Sequence, residues 1–183
     1  AQVEEMIAHP IIRGVSLTDS EAAGRKIAEA AGKNLKKCVL ELGGSDAFIV
    51  CEDADVSKAA KEGAQARLQN NGQTCVAGKR FIIHEKIYQD FVEKFTEEYQ
   101  KYQPENPMNE ETKLGLMARE DLASDLEKQY QKALNNGAKA IVALESVGNM
   151  AFKPGILEMN PENPIAQEEL FGPLAMVFKV KND

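Results

Sequence analysis

Ile11 to Leu42 reads IIRGVSLTDSEAAGRKIAEAAGKNLKKCVLEL, and the α/β signal of the chain is concentrated there. Ile11 to Leu17 is apolar and partly β-branched, the pattern of a short buried strand. Thr18, Asp19 and Ser20 are helix N-cap types, whose side-chain oxygens accept from the unpaired amides of a first helical turn. The alanine-rich run Glu21 to Ala31 then reads as a helix that Gly32 closes. A second apolar run, Cys38 to Leu42, completes a strand-helix-strand unit. A crossover of that length brings the chain back parallel to its first strand, so the unit predicts a parallel sheet with helices packed on it.

The same alternation continues outward. Ala47 to Cys51 reads as a strand, and Asp53 or Asp55 caps a helix running to about Leu68, where Asn70, Asn71 and Gly72 stop it. Lys79 to His84 is a strand by its Phe-Ile-Ile core, and Ile87, Phe91, Phe95 and Tyr99 recur every four residues as the buried stripe of a helix. Pro104 and Pro107 interrupt the chain. Leu122, Leu126, Tyr130 and Leu134 mark another amphipathic helix ended by Asn135-Asn136-Gly137, Ala140 to Leu144 returns as a strand, and Asn160 to Pro173 reads as a loop.

With 183 residues the chain is near the size of one domain, large enough to bury roughly 70% of the surface its unfolded form exposes. Cys38, Cys51 and Cys75 form no CxxC pair and have no histidine at ligand spacing, so neither a metal site nor a disulfide framework is expected, and a reducing, cytoplasmic setting fits. A formal net charge of -7 argues against nucleic acid or an anionic membrane as partner. No apolar run approaches the ~20 residues of a membrane span, and the opening Ala-Gln-Val-Glu-Glu lacks the basic and apolar regions of a signal peptide. The missing initiator Met and the ending Phe-Lys-Val-Lys-Asn-Asp, straight after an apolar run, suggest a piece of a longer protein.

Two runs carry chemistry. Asn70 to Arg80, NNGQTCVAGKR, holds Cys75 between small residues that let backbone and substrate approach closely. Leu40 to Gly44, LELGG, places Glu41 in an apolar strand before two glycines that bare the backbone. A thiol can attack a carbonyl, and a carboxylate can activate the water that cleaves the resulting thioester. Alone, Cys75 reads more readily as a structural residue than as a nucleophile, and Glu41 equally as the solvent-facing side of an alternating strand. Acidifying a free thiol by about two pH units gains only ~3-fold, because nucleophilicity falls as thiolate accumulates. One oxyanion donor is worth ~100-fold to ~1000-fold, so the Cys75 amide matters more than thiol acidity.

Leu40 to Gly44, Gly72 to Cys75 with Arg80 five positions on, and EELFGP at Glu168 to Pro173 together resemble the aldehyde dehydrogenase superfamily over essentially the whole chain. Lys36 to Asp46 is most similar to bacterial NAD(P)-dependent succinate-semialdehyde dehydrogenases. The resemblance implies a catalytic-domain fragment with a parallel sheet flanked by helices at 41–183. It implies the last strand-helix-strand piece of a Rossmann-like cofactor domain at 1–40. It also implies oxidation of an aldehyde, here a semialdehyde such as succinate semialdehyde, to the acid with NAD or NADP, in a homo-oligomer that is a dimer or tetramer. Cys75 becomes the nucleophile and Glu41 the base. Glu169 meets the nicotinamide ribose, Phe171 packs by the nicotinamide, Ser20 meets the pyrophosphate while also capping its helix, and Gly43 joins the cofactor site.

Three places depart from the family pattern. Asp19 stands where glycine is usual beside the pyrophosphate, and Ser45-Asp46-Ala47 replaces Lys-Ser-Pro. Gln69 stands where some semialdehyde dehydrogenases carry an arginine that grips the substrate carboxylate. Arg67 lies about 200° around an ideal helix from Gln69 and is not a substitute. The family's second oxyanion donor, an asparagine, and its NAD-or-NADP selecting residues fall outside the stretch matched. The fragment alone is therefore expected to be inactive. A CoA-acylating relative is a rival reading that Glu41 opposes, and a non-catalytic self-associating fragment with unpaired strand edges is another.

Overall fold

A computed structural model describes residues 2–181, in a chain that divides into two compact units, 1–44 and 45–183. The first unit contains α1 (Gln2–Ala8), β1 (Gly14–Thr18), α2 (Glu21–Lys33) and β2 (Lys37–Glu41). β1 and β2 pair in parallel from Gly14 opposite Lys37 to Thr18 opposite Glu41, so the strand-helix-strand reading of this stretch corresponds to the structure. Ile7, Ala30 and Ala31 form its buried centre, with Val15, Ile27 and Cys38 packed around them.

Gly32 does not close α2. The helix runs on to Lys33 and ends in a Schellman arrangement: the Lys36 amide donates to Ala31 O at 3.0 Å, and the Leu35 amide to Gly32 O at 3.1 Å. Leu35, at φ 53°, takes the left-handed position that glycine usually fills, while Asn34 Nδ2 donates back to Ala30 O at 2.9 Å.

The second unit comprises β3 (Asp46–Val50), α3 (Val56–Leu68), a 3-10 turn (Gln69–Gly72), β4 (Gly78–His84), α4 (Tyr88–Tyr99) and α5 (Glu120–Asn135), followed by β5 (Lys139–Val142), β6 (Glu145–Gly148), β7 (Ala151–Lys153), β8 (Gly155–Glu158), a second 3-10 turn (Pro164–Gln167) and β9 (Leu174–Val180). The main sheet has the order β3-β4-β9-β8-β5. β3, β4, β9 and β8 run parallel, but β5 is antiparallel to β8, and β6 and β7 form a separate antiparallel pair. Four of the five strands thus form the expected parallel sheet, and β5 adds an antiparallel edge.

Alternation along β9 explains why helices cover both faces. Ala175 and Val177 point into a core with α3 and α4, where Phe81, Phe91, Phe95 and Tyr99 pack at ring-centroid distances of 4.6–6.5 Å. Leu174, Met176 and Phe178 point the other way, onto Leu126, Tyr130 and Ala133 of α5. The α4 stripe is buried as its spacing predicts. On α5 the deepest positions are shifted toward Ala123 and Ala133, leaving Leu122 and Leu134 only partly buried. Among the described residues, no helix is long and apolar enough to cross a membrane.

Candidate active site

Cys75 lies exposed in the turn between the first 3-10 turn and β4. The approach to it is unusual backbone: Asn70, Asn71 and Gly72 have φ of 51°, 57° and 72°. Asparagine tolerates the left-handed region better than most side chains, and here its amides also fasten the turn. Asn71 accepts from the Gly115 amide at 2.7 Å and donates to Leu116 O at 2.6 Å, Gln73 accepts from the Ala118 amide at 3.0 Å, and Asn70 donates to Gln73 O at 2.9 Å. Residues that stop a helix in sequence therefore also pin the thiol's turn to 115–118.

Two buried cations connect this turn to the loop that precedes β9. Arg67, fully buried on α3, donates through Nη2 to Leu170 O at 2.7 Å, to Gly172 O and to Gly72 O at 3.3 Å. Desolvation by burial pushes its guanidinium down to about 10, so it stays charged at neutral pH. Its Nε and Nη1 lack acceptors among the described residues. Lys79, also fully buried, donates to Thr74 O at 3.0 Å and Cys75 O at 2.8 Å, and its Nζ lies 3.1 Å from Glu169 Oε1 as an ion pair that lacks hydrogen-bond alignment. Neither role has a sequence signal: α3 also carries Lys58 and Lys61, and β4 also carries Arg80, so the sequence does not mark Arg67 and Lys79 as the buried cations.

We expect Arg67→Met to lower unfolding free energy by about 2 kcal/mol, since three carbonyls lose a charged donor while two unmatched donors also disappear. Urea denaturation of the 183-residue chain reads this directly. A loss below about 0.5 kcal/mol would mean that Arg67 does not hold the two loops together.

The adjacent glutamates separate. Glu168 pairs with Lys132 of α5 at 2.7 Å and accepts from Gln129 at 3.1 Å, and the Lys132 hydrogen bond holds its carboxyl below the usual range. Glu169 turns to Lys79 with its side chain 25% exposed, while Phe171 is half-buried two residues on. Arg80 braces β4 to the start of β3 through Nε and Ser45 O at 2.7 Å.

The other expected site residues belong to the first unit. Ser20 caps α2, accepting from the Ala23 amide at 3.4 Å, and the Ser20 amide donates to Asp19 Oδ1 at 2.6 Å. The Asp19 amide donates to Glu41 O at 3.1 Å. Ser20, Asp19, Glu41 and half-buried Gly43 thus share the C-terminal end of the parallel pair, where α/β units characteristically present ligand sites. Glu41 is exposed, in keeping with alternation along its strand. Cys75, Glu169 and Phe171 are gathered within the second unit.

The chain matches the Aldehyde dehydrogenase family over residues 1–183, and it belongs to that family. It is 40% identical to an NADP(+) succinate-semialdehyde dehydrogenase of Deinococcus radiodurans, covering 100% of this chain and 39% of the relative. It is 42% identical to an NAD(P)+ succinate semialdehyde dehydrogenase of Escherichia coli, covering 98% of this chain and 40% of the relative. The solved structure of a succinic semialdehyde dehydrogenase from Streptococcus pyogenes, in complex with NADP+, superposes with a TM-score of 0.93 at 39% identity, over 99% of this chain and 40% of that one. The chain therefore spans about two-fifths of the length of these relatives.

Proposed function

We propose that the protein carrying this chain oxidises a semialdehyde, such as succinate semialdehyde, to the carboxylic acid with NADP or NAD. The observation that supports it most is the exposed Cys75, in a turn linked by Lys79 to a partly exposed carboxylate on the EELFGP loop. The thiolate of Cys75 adds to the aldehyde carbon, and its own amide donates to the oxygen that becomes negative. Bound NADP or NAD would supply the hydride acceptor, and once hydride has left the adduct carbon an acyl group remains on the Cys75 sulfur. Glu41 then takes a proton from water as the water attacks the thioester, and Cys75 departs as thiolate.

Glu169 suits a ribose because a carboxylate can accept from a diol, and Phe171 offers an apolar face beside it. Ser20 and the first turn of α2 suit a pyrophosphate through helix N-terminal amides, and Gly43 allows close backbone approach. Asp19 fits less well. Its carboxylate takes the Ser20 amide and adds negative charge beside the phosphates, which favours weaker cofactor binding than in relatives with glycine there. Three unpaired cysteines suit a reducing cytoplasm, and a homo-oligomeric dimer or tetramer completes the reading.

The test is spectrophotometric. A longer polypeptide carrying these residues is expected to form reduced cofactor from succinate semialdehyde. No reduction with this or any other aldehyde, by protein that binds NADP+, would end the reading. The 183 residues alone are expected to give no turnover, and appreciable reduced cofactor from them would overturn that part of it.

A further inference from the structure

Lys79 is fully buried, and its ammonium donates to Thr74 O at 3.0 Å and Cys75 O at 2.8 Å and lies 3.1 Å from Glu169 Oε1 as an ion pair. Burying an ammonium is expensive unless it is fully partnered, and a residue needed only to fill that space could be apolar. The placement of the charge is informative. Thr74 O and the Cys75 amide belong to the same peptide group. A cation on the carbonyl oxygen draws electron density through the amide and makes its N–H a stronger donor. Among the described residues, the Cys75 N–H donates to no backbone acceptor, so it is available to an oxyanion.

We propose that Lys79 is a positioning residue that holds and polarises the Thr74–Cys75 peptide, so that the Cys75 amide stabilises the oxyanion formed when the Cys75 thiolate adds to a carbonyl. Glu169 fixes the ammonium from the opposite loop, and Cys75 O supplies the third anchor. The inference rests on Cys75 being the nucleophile. It adds a residue that touches neither substrate nor cofactor.

Two thiol reactions of the 183-residue chain separate this role from simple structural support, and neither needs cofactor. With p-nitrophenyl acetate, the thiolate adds to the ester carbonyl and its electron pair moves onto oxygen. The pair then returns as p-nitrophenolate leaves, and acetyl remains on sulfur. With iodoacetamide, sulfur displaces iodide and no oxyanion forms. Both start from the same thiolate, so the ratio of acylation to alkylation at Cys75 cancels changes in thiol acidity or exposure.

Lys79→Met is expected to lower that ratio about 10-fold, less than the ~100-fold or more for removing an oxyanion donor outright. Lys79→Gln, which retains N–H donors without charge, should fall between. If Lys79→Met leaves Glu169 unpaired and the protein unfolded, Lys79→Met with Glu169→Gln removes both charges. Its ratio, read against Glu169→Gln alone, should show the same fall. A ratio changed by less than about twofold in the folded variants would overturn the proposal. Release of p-nitrophenolate that is absent in the unmodified chain, or that survives Cys75→Ser, would instead count against the nucleophile itself.

Discussion

In the longer polypeptide that carries this chain, Cys75→Ala is expected to reduce steady-state aldehyde oxidation by at least about 10⁴-fold, the scale on which enzymes lose rate when a covalent nucleophile is deleted. No other thiol can take over by proximity of sequence: Cys38 and Cys51 are half-buried, one on β2 and the other just after β3. Because the Cys75 side chain is exposed, its truncation leaves no cavity, and the urea midpoint should remain within the ±0.5 kcal/mol typical of surface substitutions. Activity loss with unchanged stability assigns the effect to chemistry. Retention of more than about 1% of the rate would remove Cys75 from the mechanism, because binding and orientation alone do not replace a covalent step.

The sequence exposes the parts of this fold whose packing is local or periodic. β1, α2 and β2 are legible from caps and an apolar-helical-apolar alternation, and the α4 stripe from its four-residue spacing. β9 is harder to read, because a strand buried on both faces shows a continuous apolar run instead of alternation. β7 and β8 are three and four residues long and flank Pro154, too short for any period to register. At the candidate site the reactive types Cys75 and Glu41 stand out by chemistry. Lys79 and Arg67 do not, because all their hydrogen-bond acceptors are backbone carbonyl oxygens, two of them more than 100 residues away in the chain. A backbone acceptor exists at every position and so leaves no mark in a sequence. The split between Glu168 and Glu169 has a different cause: Lys132 and Lys79, 36 and 90 residues away in the chain, draw the two carboxylates in different directions, and only the fold brings these pairs together.

Glu41→Gln should produce a different defect from Cys75→Ala. In the proposed mechanism thiolate addition and hydride loss do not use the Glu41 carboxylate, so reduced cofactor should appear in a burst stoichiometric with active sites. Deacylation then lacks its base, and the steady state should fall by about 10²-fold to 10⁴-fold. Gln keeps the size of the side chain, and Glu41 is exposed at the end of β2, so the substitution should not alter folding. The burst is decisive because a merely structural Glu41 would diminish both phases together. Mass spectrometry of the quenched variant should find Cys75 acylated. Added thiol should restore turnover, because a thiolate attacks a thioester without needing a proton removed in the transition state. If the unmodified enzyme already transfers its acyl group to a CoA-type thiol in preference to water, Glu41→Gln will leave that rate unchanged and the acylating reading will replace hydrolysis. Normal hydrolytic turnover by Glu41→Gln would return this residue to the solvent-facing role that alternation along β2 also allows.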